Sequence, residues 1–136
     1  MSHFFIILTL LLVSLEANSE KAGLAYLNKI RENTGLIKFK NNKSLQKSAN
    51  SHAKYLIQNQ RNGHYEKKGK YSYTGTSPSK RVIKAGYSST YVMENLSVNT
   101  TGYVKSIDNL FSAIYHRFVF LNLDKDEIGL GFHSTK

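Results

Sequence analysis

The hydrophobic positions fall into a series of helical stripes and, late in the chain, one alternating run. Leu24, Leu27 and Ile30 recur at helical spacing with Tyr26 beside them, which predicts a helix over Glu20–Asn33. Thr34-Gly35 predicts its end, because glycine takes the left-handed C′ conformation at little cost. Leu36, Ile37 and Phe39 follow as a short apolar connector among lysines. Leu45, Ala49, Ala53 and Leu56 make the most regular stripe in the chain, with His52 adjoining it. They predict a second helix capped by Asn41 or Asn42 and ending near Asn62-Gly63. Ser77-Pro78 offers an N-cap and a first helical residue to a short third helix that runs through Arg81 and Ile83 and stops at Gly86. Val104, Ile107, Leu110, Phe111, Ile114 and Phe118 form a wide apolar face, read as one continuous fourth helix over residues 104–118. On such a helix His116 lines up with Ser112 and Asn109 and so projects from the flank.

The stretches between are different in kind. Residues 65–76 are a polar loop rich in Tyr and Lys. Tyr91-Val92-Met93, and Leu96 with Val98, read as extended chain around Glu94-Asn95. After a turn at Asp124-Lys125-Asp126, residues 127–132 alternate as a strand, and Gly129 and Gly131 imply close approach by a neighbouring backbone or side chain. Helices outnumber strands and the strands come late, which places the chain in the α+β class, with helices covering a small sheet.

The first residues stand apart. Residues 4–13 are apolar except Thr9, the length of a signal-peptide core and short for a membrane span. Ala17-Asn18-Ser19 then supplies small residues for cleavage after Ser19, although only His3 stands where a basic n-region is usual. Residues 1–19 are therefore expected to be a signal peptide and residues 20–136 one domain, secreted or held in the periplasm or cell envelope. No transmembrane segment is expected after cleavage.

Composition narrows the chemistry. The 136 residues suffice for one domain and include no cysteine, so neither a disulfide framework nor a thiolate metal site is available. A bound metal would need His and carboxylate ligands. The formal net charge of +10 favours anionic partners such as an envelope polyanion, and the densest basic cluster is Lys67, Lys68 and Lys70. The alternative is a solvated basic surface. The loop tyrosines suit a glycan or peptide ligand, or simple loop packing. Charge without a recognition motif gives no reason to expect specific nucleic-acid binding.

In order, Leu27-Asn28-Lys29-Ile30-Arg31, Leu45 with Ala49 and His52-Ala53, Gly63-His64, Ser77-Pro78 with Arg81 and Ala85-Gly86-Tyr87, Glu94-Asn95-Leu96, His116-Arg117 and Ile128-Gly129-Leu130-Gly131 resemble the CAP superfamily of cysteine-rich secretory, antigen 5 and pathogenesis-related-1 proteins. The chain is most similar to the bacterial secreted SCP-like branch without disulfides. The resemblance implies a three-layer α-β-α sandwich around a cavity that holds two His and two acidic residues. His64, Glu94 and His116 match three of those positions, and Ala113 stands where the second acid is expected. The family continues past the Ile-Gly-Leu-Gly strand into at least one more aromatic-rich strand, whereas this chain stops at Lys136, so the last strand is expected to be missing.

Several chemistries stay open for His64, Glu94 and His116. Two imidazoles and a carboxylate can form a first shell for Zn²⁺, with water completing the coordination. Glu94 can instead orient a histidine as a general base, although no Gly-x-Ser-x-Gly elbow supplies a nucleophile and Ser97 and Ser112 carry no distinguishing signal. The three can also be a polar network that holds helices to the sheet. The leading expectation is an exported binding or envelope-interaction module. A metal-dependent hydrolase of peptide or cell-wall material is the alternative, and lipid binding, known in parts of that family, is the third.

Overall fold

The computed structural model describes residues 19–135. Helix α1 spans Glu20–Asn33, strand β1 Lys40–Asn41, α2 Lys43–Gln58, α3 Pro78–Lys84, α4 Tyr103–Ser112, α5 Ile114–Phe120 and strand β2 Glu127–Ile128. The expected signal segment lies outside the described residues except for Ser19. That residue is the N-cap of α1, its hydroxyl accepting from Ala22 N at 3.1 Å. A cut after Ser19 would remove this cap, an interaction worth about 1 kcal/mol.

The ends of the first three helices follow local chemistry. At the end of α1, Thr34 is the C-cap and Gly35 takes φ +75°. Asn42 caps α2 by accepting from Ser44 N and Leu45 N. The helix stops at Gln58, short of Asn62-Gly63, because the Asn59 side chain donates to Tyr55 O and to Tyr71 O and so turns the chain into the loop. Ser77 and Pro78 open α3 as expected.

The fourth stripe is not one helix. Ala113 sits between α4 and α5 in an extended conformation, φ −103° and ψ 124°. Alanine is the best helix former, so local propensity does not cause the break. Arg117 does: its guanidinium donates to Phe111 O and reaches Ser112 O, satisfying carbonyls at the end of α4 that a continuous helix would use itself. Arg117 therefore caps the end of α4. The expected line of Asn109, Ser112 and His116 on one helix flank is lost with the break.

α1 packs on α4, and α2 packs on α3. Between these groups run β1, β2 and extended chain, which is the α-β-α arrangement. Leu27, Phe39, Ile107, Leu110 and Phe120 are the buried apolar centre, with Leu24, Phe111 and Ile128 packed against it. Arg31 is also fully buried and takes no carboxylate. It donates instead to the carbonyls of Ile37, Phe120, Asn122 and Lys125 at 2.7–3.1 Å, with its guanidinium 3.7 Å from the centre of the Phe39 ring. One side chain thus ties α1 to the segments before β1 and after α5. Burial pulls its pKa below the ordinary arginine value.

β1 and β2 pair in parallel, Lys40 with Glu127 and Asn41 with Ile128. The alternating run over 127–132 is therefore a ladder strand only at its first two residues. Beyond them, Gly129 and Gly131 lie against the backbone of α2. A Cβ on Gly129 would stand 2.0 Å from Gln46 N, and one on Gly131 would stand 2.3 Å from Ala49 C, so both positions require glycine.

Glu127 locks this corner. Its carboxylate accepts from Asn42 Nδ2 at 2.9 Å and from Tyr87 OH at 2.9 Å. Those two hydrogen bonds, with the Lys40 charge, hold its pKa below the usual glutamate value. A depressed folded-state pKa means that the unfolded chain takes up the proton first. The stabilisation is complete above the unfolded value, near 4.5, and is lost as pH falls through the folded one. Glu127→Gln is expected to flatten the loss of stability below that pH, and urea midpoints measured from pH 3 to 7 on both proteins check it.

Candidate functional site

A chain of charged side chains crosses from α2 to the extended segment. His52 projects from α2 and is 2 % exposed. Its Nδ1 lies 3.0 Å from Glu66 Oε1, and its Nε2 lies 3.1 Å from Gly63 O. Both partners are acceptors, so only the imidazolium form donates to both at once. Glu66, also 2 % exposed, accepts from Thr74 N at 2.6 Å, from Gly75 N at 3.2 Å and from the Thr74 hydroxyl. Arg81, on α3, is 1 % exposed and places its Nε 3.8 Å from Glu66. One arm of the same guanidinium donates to His64 O at 2.8 Å and the other to Glu94 Oε2 at 2.6 Å. The remaining Glu94 oxygen lies 2.9 Å from His64 Nδ1 and 3.9 Å from His52 Nε2. An ionised carboxylate only accepts, so His64 carries its hydrogen on Nδ1.

Of the three expected site residues, the structure brings His64 and Glu94 together. His116, in the first turn of α5, is hydrogen-bonded to neither. Its backbone carbonyl accepts from Asn95 Nδ2 at 2.9 Å, and its Nδ1 is buried without a partner. His52, Glu66 and Arg81 belong with His64 and Glu94. Glu66 sits in a loop that reads as polar and solvated, and its role escaped the sequence reading. A signal was present: in an extended Gly63-His64-Tyr65-Glu66, His64 and Glu66 fall on the same side.

The donors do not fit the expected Zn²⁺. Among the described residues no group of three or more His, Cys, Asp or Glu could hold a metal ion. Both Glu94 oxygens are engaged, one by a guanidinium that would repel an arriving cation. The hydroxyls of Ser97 and Ser112 are also engaged. Ser97 Oγ bonds Thr100 Oγ1, and Ser112 Oγ donates to Asn109 O.

Beside this network lies a cavity of about 660 Å³. α2 contributes Leu45, Ala49, Ala53 and Leu56 to its wall, and α4 contributes Ile107 and Leu110. Its borders include the extended residues 92–100 and 128–133, and Glu94, Asn95 and His52 give it a polar end. The Lys67, Lys68 and Lys70 loop is solvent-exposed, with Tyr65 and Tyr71 exposed beside it. Among the described residues no helix is long and apolar enough to cross a membrane.

Known structures share this architecture. One is an extracellular protein containing an SCP domain from Bacillus anthracis, with TM-score 0.75 and 18 % identity, covering 85 % of this chain. The match spans 37 % of the Bacillus protein, so the chain corresponds to about a third of it. Another is an outer surface protein from Borrelia burgdorferi, with TM-score 0.63 and 20 % identity, covering 80 % of this chain and 76 % of that one. No curated protein matches the sequence. The family model of the cysteine-rich secretory proteins matches residues 24–136, nearly all of the described chain. With that span, and with helices enclosing extended chain in the same arrangement, this cysteine-free chain belongs to the CAP family.

Proposed function

We propose that this protein is an exported, non-catalytic binding module whose ligand enters the cavity between α2 and α4. The observation that carries the reading is the cavity itself, about 660 Å³ with apolar side chains on both helical walls and polar groups, Glu94, Asn95 and His52 among them, in the rest of its lining. That is the ordinary form of a small-ligand site. The charged network supports binding over turnover. Every carboxylate oxygen in it has a partner, and among the described residues no group of three or more His, Cys, Asp or Glu could hold a metal ion. Its task is to hold α2, α3 and the Glu94 segment in register, which fixes the polar end of the cavity. Export is supported by the expected signal segment and by two structural relatives described as extracellular and outer surface proteins.

The test is titration with N-phenyl-1-naphthylamine, a neutral dye that fluoresces in apolar surroundings. Wild type should give a saturable one-to-one isotherm. Ala53→Phe, which fills the cavity from the α2 wall, should weaken it at least tenfold while keeping a cooperative melt. Absence of saturable binding, or equal binding by a folded Ala53→Phe variant, contradicts the reading.

A further inference from the structure

Within the two chain segments that border the cavity, residues 93–98 and 129–132 belong to no helix or sheet. Among the described residues, no backbone–backbone hydrogen bond is made by residues 93–99 or by residues 129–135. The one bond to the backbone of the second border comes from a side chain, Asn50 Oδ1 accepting from Phe132 N. Apart from Phe132 N, each border therefore leaves its N–H and C=O groups without a protein partner. Unpaired edges of this kind are templates for strand addition.

Three further observations point the same way. The second border already lies between helical layers as a strand would. Gly129 and Gly131 face α2, while Leu130 comes within 3.4 Å of a Cβ placed on Gly23 of α1, and Phe132 packs on Tyr103 of α4. The cavity continues that middle layer, because its walls are α2 on one side and α4 on the other. Asn95, on the first border, has a buried Oδ1 that lacks a donor. A round apolar ligand leaves both edges and this oxygen unsatisfied. An extended backbone satisfies them and places side chains at alternate positions against the two helical walls.

We propose that the cavity is a strand acceptor: it takes an extended segment of a second polypeptide chain, paired through its backbone to residues 93–98 on one border and 129–132 on the other, with apolar side chains directed at α2 and α4. This rests on the binding reading above and names the class of its ligand. A usual strand of about 5–6 residues matches the length of these borders. The formal charge of +10 favours a segment with acidic residues flanking the apolar ones.

The probe is a seven-residue peptide of five valines between terminal glutamates, which presents apolar side chains to both walls. Its partner probe has the same side chains but carries N-methyl groups on alternate amides, which removes one row of donors. Both are titrated against the full chain carrying N-phenyl-1-naphthylamine, and amide hydrogen exchange is followed. The unmodified peptide should displace the dye and slow exchange at residues 93–98 and 129–132. N-methylation should weaken displacement at least tenfold. Equal displacement by both peptides overturns the proposal, because side chains alone then explain binding. Dye binding that neither peptide displaces, but that palmitate does, also overturns it and leaves the cavity as an apolar-ligand site. Failure of the dye itself to bind removes the underlying reading instead.

Discussion

Glu66→Leu is expected to destabilise the protein by about 3–5 kcal/mol, the range found when one partner of a buried ion pair is removed. The substitution leaves the Arg81 guanidinium facing only Glu94, takes the Nδ1 partner from His52, and strands Thr74 N and Gly75 N. All of these groups are buried or partly so, and each unpaired one carries its own desolvation cost. Glu66→Gln should cost less, because an amide oxygen can still accept from Thr74 N. The urea midpoint with unchanged slope measures both. The double variant with His52→Leu should lose less than the sum of the single ones, since the two side chains share one contact. Losses that simply add would mean that Glu66 and His52 act separately.

Arg31→Leu should be comparably damaging for a different reason. No carboxylate neutralises Arg31; its charge is met by four backbone carbonyls and the face of Phe39. Leucine leaves the buried Phe120 carbonyl and three part-buried ones without that donor and opens space beside Phe39. At about 1–3 kcal/mol for each buried group left unsatisfied, with some relief by water, the total reaches roughly 4 kcal/mol. Arg31→Lys is not a conservative rescue, since an ammonium cannot reach carbonyls fanned out around a planar guanidinium. Thermal melts of both variants test this. A lysine variant as stable as wild type would show that charge alone suffices there.

Local rules made α1, α2 and α3 legible. Ser77-Pro78, Asn42 and Thr34-Gly35 mark their ends by capping chemistry that acts within a few residues. The glycines at 129 and 131 were legible too, as positions of close approach. Long-range chemistry was not. Arg117 breaks the fourth stripe by capping a helix end through its side chain, and nothing in an apolar periodicity anticipates that. The hydrogen bond from Asn95 to the His116 carbonyl is long-range too, and the ordered motifs give no sign of it. Glu66 was hidden because a carboxylate in a Lys- and Tyr-rich loop reads as solvated, whereas two neighbouring amides and a histidine draw it inside. The ladder strand is short for a related reason: pairing needs a neighbouring strand, and alternation within one segment cannot supply it.

The central claim is that the charged cluster is closed on itself and serves a binding cavity, with Glu94 committed to Arg81 and His64. Calorimetric titration of the full chain with Zn²⁺, alongside His64→Ala and His116→Ala, tests it most directly. The predicted result is no one-to-one binding in the micromolar range and no difference among the three proteins. A stoichiometric isotherm that both substitutions abolish would contradict the account and restore a metal centre built from those side chains.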